Sequence, residues 1–410
     1  MNTRKTRAVI LAATLPLVIA LAGCTGAAVG GDPSASSSGA PIRVALLTDQ
    51  SGPYAEFAAQ QAAGVKFAAD EANANGGIDG HPVEIYQADS LGTAEGAVSA
   101  AQKLVQQNGA QFIIGTIASP TTLAVMQRLD SWGALQFGTQ SQGVDLTGAS
   151  CEANFFRVFT NDDQIINAMG AWLDEREPVL DWDAIGADYS FGRQSVAGLE
   201  QIVDGQGGTV EVSVFAPLGS TDFGSYISQL NGGGGLLVAN SGGDSINFFK
   251  QALQFGTLEK YGLVFGNASF TTSSLNAVND ARLVGAYGSA NWQNTVDTPE
   301  SKAFVEAYEG ANGEAPADFT GAGYMGMQAL FAGVREAGSA DPDAVRDALS
   351  GLTFDSIKGE VTMRAEDHQL QAPLYIAQVE EGDDGGLVFN VVDTVPADQN
   401  DHGPSPECTL

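Results

Sequence analysis

Side chains able to do covalent or redox chemistry are sparse in this 410-residue chain, and their spacing argues against most reactions. The three histidines, His81, His368 and His402, lie far apart, so a histidine-based zinc or iron site has little material. The chain contains neither a G-x-x-x-x-G-K-[ST] phosphate loop nor a G-x-S-x-G nucleophile elbow. Gly321-Ala322-Gly323-Tyr324-Met325-Gly326 fits G-x-G-x-x-G by letter, but Pro316-Ala317-Asp318-Phe319 precedes it where a dinucleotide site needs a strand. Carboxylates are abundant yet form no recognisable spaced pair, as a solvated acidic surface would. One local pattern does carry binding chemistry. Phe112-Ile113-Ile114-Gly115 reads as a strand, Thr116 to Ser119 as a loop, and Ser119-Pro120 as a helix start with serine at the N-cap. Free amides at Thr121 and Thr122, with the Ser119 hydroxyl, would hold a carboxylate or carbonyl oxygen beyond the carboxyl end of a parallel strand. The plainer alternative is a serine that only caps its own helix.

Charge narrows the partners. Eighteen Lys and Arg stand against 49 Asp and Glu, a formal charge of −31, and no basic stripe offsets it, which argues against nucleic-acid binding. The amino terminus reads Met1-Asn2-Thr3-Arg4-Lys5-Thr6-Arg7, followed by an apolar run from Ala8 to Ala22 interrupted by Pro16. A run of about 15 residues is short of the roughly 20 that a spanning helix needs, and its positive flank makes it a secretory signal. It ends Leu21-Ala22-Gly23-Cys24, which resembles the bacterial lipoprotein box; that resemblance implies cleavage after residue 23 and a lipid on the Cys24 sulfur. Residues 24–41, rich in Gly, Ala and Ser, read as a flexible tether. The expected location is the outer face of the bacterial cytoplasmic membrane, or the periplasm. Cys151 and Cys408 are the remaining thiols, and outside the cytoplasm two thiols in one chain are expected to pair. Closing a loop of about 257 residues contributes at most roughly 5 kcal/mol by the chain-entropy argument.

The elements that must position these residues alternate. Ile42 to Leu47, Val83 to Tyr86, Phe112 to Gly115 and Ala134 to Phe137 read as strands. Ala58 to Asn73, Ala94 to Gln106 and Pro120 to Leu129 read as helices between them. A second series follows Arg157, with strands at Asp183 to Ala187, Thr209 to Phe215, Gly235 to Ala239 and Leu263 to Phe265. Such alternation means right-handed βαβ units around parallel sheets. The reading is an α/β protein of two doubly wound lobes with a cleft between them. Past Asn291 come helical stretches and then short strands, too little sheet for a third domain, which would complete the two lobes by several chain crossings.

With those elements in place, the chain resembles the Leu/Ile/Val-type, or type I, periplasmic binding proteins of ABC transporters. The matching stretches include Ser51-Gly52-Pro53, Ala72-Asn73-Ala74-Asn75-Gly76-Gly77-Ile78-Asp79-Gly80, Phe112-Ile113-Ile114-Gly115, Phe156-Arg157 and Tyr189-Ser190-Phe191-Gly192, in family order. Thr221-Asp222-Phe223, Gln251-Ala252 with Gly256, and Gly323-Tyr324 continue the series. The resemblance implies three hinge crossings, near Asn161, Asn291 and Leu374. It therefore divides the chain into an amino-terminal lobe of residues 42–160 plus 292–373 and a carboxy-terminal lobe of 161–291 plus 374–410. It also carries over ligand-binding positions: Phe57, Ser119, the strand end Gln140-Ser141-Gln142, Phe191 and Phe319. Two positions depart from the amino-acid binders, an aromatic that reads Ser241 and the ammonium-holding acid that reads Ala268. Asp244, at the next helix start, is the rival acid. The implied function is a monomeric binding protein, not an enzyme, without cofactor or metal. It closes on a small molecule, an amide or a small or aromatic carboxylic acid, for an ABC permease. Branched-chain or other amino-acid binding, and a ligand sensor of the same fold, are the alternatives; a secreted hydrolase comes third.

Overall fold

Continuous apolar runs punctuated by turns build two parallel sheets, because strands covered by helices on both faces need apolar residues on both. The computed structural model describes residues 39–382, 385–401 and 403–410; the signal, Cys24, most of the tether and His402 lie outside the described residues. In the first lobe β1 (Ile42–Thr48), β2 (Val83–Asp89), β3 (Phe112–Ile114), β4 (Leu135–Gly138) and β5 (Phe155–Arg157) run parallel in the order β2-β1-β3-β4-β5. Helices α1 (Ala55–Ala74), α2 (Ala94–Asn108), α3 (Ser119–Met126) and α4 (Leu129–Trp132) connect them. The second lobe repeats the plan with α5 (Asp162–Asp174), β6 (Asp181–Ala187), α6 (Ser190–Gly205), β7 (Thr209–Ala216), α7 (Gly224–Ile227) and β8 (Gly233–Ala239). It continues with α8 (Gly243–Gln254), β9 (Tyr261–Gly266), α9 (Thr272–Val278) and β10 (Tyr287–Ala290).

The chain then returns to the first lobe. Helix α10 (Pro299–Asn312) is followed by α11 (Asp318–Ala337), which packs along α1, and by α12 (Pro342–Leu349). The α1–α11 approach is close enough to need glycine on both sides: a Cβ at Gly64 would overlap the Thr320 carbonyl, and one at Gly323 the Gln61 carbonyl. Strands β11 (Thr353–Ser356), β12 (Gly359–Met363) and β13 (Leu370–Gln371) form a separate three-stranded antiparallel sheet. Finally β14 (Leu374–Glu381) and β15 (Leu387–Val395) add an antiparallel hairpin to β10, giving the order β15-β14-β10-β9-β8-β6-β7. The short connection allows only antiparallel pairing, so the second sheet is mixed rather than purely parallel.

Two sequence expectations need adjusting. The three-residue strand β5 is absent from the sequence reading, although Phe156-Arg157 lies in one of the quoted stretches. The apolar spacing over Phe223 to Leu230 also predicts a helix, but the run forms only the single turn α7 before β8 begins at Gly233. Cys151 and Cys408 form a disulfide with Cα atoms 5.6 Å apart, tying the carboxyl-terminal tail to the loop after β4. Beside it Arg364 is held by Asp367 and Asp401, each through a 2.6 Å contact, with all three side chains at most 8% exposed. Among the described residues, no helix is long and apolar enough to cross a membrane.

Candidate functional site

The loops at the carboxyl ends of both sets of parallel strands face one another and line a common cavity, whose empty space, part of it open to solvent, is about 350 Å³. From the first lobe it receives Tyr54 and Phe57 after β1, Ile117 and Ser119 after β3, Gln140 and Gln142 after β4, and Phe159 after β5. Phe319, at the start of α11, completes that side, its ring 4.2 Å from that of Phe57. The second lobe supplies Tyr189 and Phe191 after β6, Ser241 after β8 and Ala268 after β9. A neighbouring cavity shares Gln142, Phe159, Ala268 and Phe319 and extends toward Trp292 and Asp318.

Eight of the residues singled out from sequence therefore meet in one place: Phe57, Ser119, Gln140, Gln142, Phe191, Ser241, Ala268 and Phe319. Three do not line it. Ser141 lies between two inward residues and turns away, donating to the Thr116 carbonyl at 3.2 Å. Thr121 is spent inside the protein, its hydroxyl donating to the Ala118 carbonyl at 2.7 Å. Asp244 accepts the Gly219 amide at 2.9 Å, and burial pushes its carboxyl up to about 6. Tyr54, Ile117, Phe159 and Tyr189 were not singled out. Tyr54 directly follows Ser51-Gly52-Pro53, and Tyr189 opens the quoted stretch in which Phe191 was chosen as the aromatic. Phe270 packs on Phe249 and borders only the second cavity.

The local geometry at Ser119 differs from the capping pattern. Ala118 is the N-cap of α3 and Ser119 is its first helical residue. The amides of Thr121 and Thr122 both donate to the Ala118 carbonyl at 3.1 Å, so they are not free. The Ser119 Oγ instead accepts the Gly143 amide at 3.1 Å, which leaves its own proton for a ligand. Arg157, buried under the site, donates to the Gln142 carbonyl at 3.2 Å and fixes that strand end; burial pushes its guanidinium down to about 10. Gln140 is 6% exposed, and neither its amide nitrogen nor its oxygen has a partner among the described residues. A buried amide in that state calls for a ligand or water.

Among the described residues, no charged side chain lines the cavity. Its electropositive elements are helix starts: α3, α6 and α8 begin at it with no side-chain cap bond at Ala118, Tyr189 or Gly242, and α8 carries Asp244 in its first turn. The lobes are shut over it. Tyr54 and Tyr189 hydroxyls lie 2.7 Å apart, Gly243 donates to the Pro53 carbonyl at 3.1 Å, and Gln60 donates to Ser273 at 2.7 Å. Asp318 accepts from the Thr272 amide at 2.9 Å, and Gln194 donates to Asp145 at 2.8 Å.

Two like α/β lobes, linked by repeated chain passages and closed over a shared cavity, have the layout of a solute-binding protein. Residues 41–385 match the sequence profile of the periplasmic binding proteins, and the chain belongs to that family, the substrate-binding proteins of ABC transporters. A leucine-, isoleucine-, valine-, threonine- and alanine-binding protein of Pseudomonas aeruginosa is 25% identical over 82% of this chain and 88% of its own. Among solved structures, an ABC transporter substrate-binding protein from Sphaerobacter thermophilus superposes with a TM-score of 0.78 at 26% identity, over 87% of this chain and 98% of that one. A solute-binding protein from Rhodopseudomonas palustris in complex with 3,4-dihydroxybenzoic acid gives 0.80 at 21% identity, over the same shares, 87% and 98%. Proteins of this family are exported and hand a small ligand to a membrane permease.

Proposed function

We propose that this protein is a lipid-anchored solute-binding protein that closes on a small carboxylic acid with an aromatic or apolar body. The observation that carries the reading is the lining itself: Phe57, Phe159, Phe191 and Phe319 surround amides and hydroxyls, with no charged side chain among them. The carboxylate belongs at Ser119, whose free proton points to an acceptor and whose helix starts there. An α-ammonium group enclosed here would meet Ala268 instead of an acid, and a buried unpaired ion costs several kcal/mol. The dihydroxybenzoate complex, of the same fold, is consistent with that ligand class. Amino-acid binding is the second reading, supported by the P. aeruginosa relative; its acid would be Asp318 beside the adjoining cavity, where Thr272 already donates to both carboxylate oxygens.

Thermal unfolding in the presence of benzoate, benzamide, leucine and valine tests the choice. A ligand at about 100 times its Kd adds roughly 2.7 kcal/mol, a readily measured shift. Benzoate is expected to stabilise and leucine is not; the opposite pattern selects the amino-acid reading. Ser119→Ala is expected to weaken the acid by about 1–3 kcal/mol, measured by calorimetry on folded protein, because it leaves a buried acceptor unmatched. An unchanged Kd would reduce Ser119 to a packing role. The lipid anchor is tested separately: Cys24→Ser is expected to leave the membrane fraction without loss of fold, and retention there with full lipid label would refute it.

A further inference from the structure

We propose that Tyr54, Tyr189 and Ser241 form a second polar subsite that takes a neutral oxygen of the ligand, a hydroxyl or carbonyl distinct from its carboxylate. The inference rests on the carboxylic-acid reading above and narrows it to acids that carry a further oxygen.

Ser241 Oγ donates to the Tyr54 hydroxyl at 3.2 Å, and the Tyr54 and Tyr189 hydroxyls are 2.7 Å apart. Three hydroxyls carry three protons, and the series contains two hydrogen bonds. One proton is left over whichever way the tyrosine–tyrosine bond runs. It has no further acceptor among the described residues, and all three side chains line the cavity, with Tyr54 only 3% and Ser241 only 7% exposed. A buried donor left unmatched is costly, so the closed lobes call for an acceptor at this point.

The acceptor is neutral for an electrostatic reason. Burial raises both phenols, Tyr54 to about 12, and the nearby Asp244 adds to the effect. Both tyrosines therefore stay protonated, and a ligand carboxylate at this point would face like charge. The Ser119 proton, where α3 starts, is the better place for the anion. The series also crosses the cleft: Tyr54 comes from the first lobe, Tyr189 and Ser241 from the second. A ligand oxygen that completes it is held only when the lobes are shut, so the subsite links recognition to closure.

Titration calorimetry of the full chain with 4-hydroxybenzoate and its near-isostere 4-methylbenzoate tests the proposal. A site built to bond a hydroxyl rejects the analogue that lacks it, so the wild-type protein is expected to prefer the hydroxy acid at least tenfold. In the triple variant Tyr54→Phe, Tyr189→Phe and Ser241→Ala, which leaves no donor in the series, the ratio should fall to within about threefold, chiefly by weakening the hydroxy acid. If that variant does not fold, 4-formylbenzoate, whose carbonyl only accepts, should also outbind 4-methylbenzoate at least threefold in the wild-type protein. Equal affinity of the two acids for wild type, or a preference that survives in the folded variant, overturns the subsite and leaves the carboxylic-acid reading intact. If neither benzoate binds wild type while leucine does, the carboxylic-acid reading fails and the subsite falls with it.

Discussion

Lys358→Met is expected to stabilise the folded protein by several kcal/mol at neutral pH. Lys358 sits in the turn between β11 and β12 and is 3% exposed. Its ammonium makes one long hydrogen bond, 3.4 Å to the Asn291 side-chain oxygen, and pairs with no carboxylate among the described residues. The Tyr375 ring lies 5.5 Å away. Burial alone pushes the amine from the ordinary 10.5 down to about 7. The folded state thus holds this proton less tightly than the unfolded chain does. Below about pH 7 both states are protonated and the full penalty, about 5 kcal/mol, is present. Between pH 7 and 10.5 the unfolded chain binds more proton, so stability rises with pH until the penalty is gone. Methionine fills similar space without a charge to desolvate, at the cost of about 1 kcal/mol for the lost bond to Asn291. Urea unfolding of both proteins at pH 6, 8 and 10 checks this. The gap should be widest at pH 6 and close toward pH 10; a variant less stable than wild type at pH 6 contradicts it.

Gly64→Val is expected to have the largest destabilising effect, roughly 4 kcal/mol or more, at the upper end for single substitutions. The added Cβ would occupy the position of the Thr320 carbonyl, and backbone cannot yield as a side chain end can. Relief requires α1 and α11 to separate. Those helices carry Phe57 and Phe319, so the milder Gly64→Ala should cost ligand affinity as well as stability. Gly310→Ala is the matched control. Gly310 lies on the exposed face of α10, with nothing near the position of an added Cβ. There the same change should stabilise by about 0.5–1 kcal/mol, because the unfolded chain loses freedom and the helix loses nothing. Denaturant midpoints of the three variants decide the matter; a Gly64→Val midpoint equal to wild type would falsify the close helix approach.

Much of the architecture was legible before any coordinates. Ile42 to Leu47 and Phe112 to Gly115 read as buried parallel strands because helices on both faces demand apolar side chains without alternation. The family stretches then located Phe57, Ser119, Phe191 and Phe319, since the loops that follow parallel strands must converge at one end of the sheet. What periodicity could not supply is the partner of each polar group. Ser119 looked equally like a helix cap and a ligand contact, and only the Gly143 amide arriving from the next loop showed that its oxygen accepts there. Asp244 looked like a spare ammonium ligand until the Gly219 amide claimed its carboxylate. Tyr54 and Tyr189, 135 residues apart, meet because the two lobes close on each other. Hydrophobic pattern is a local property with a short period, so the sequence alone determined which elements form and which ends carry the site. Hydrogen-bond partnership depends on distances of about 3 Å between segments remote along the chain, and only packing of the lobes decides those.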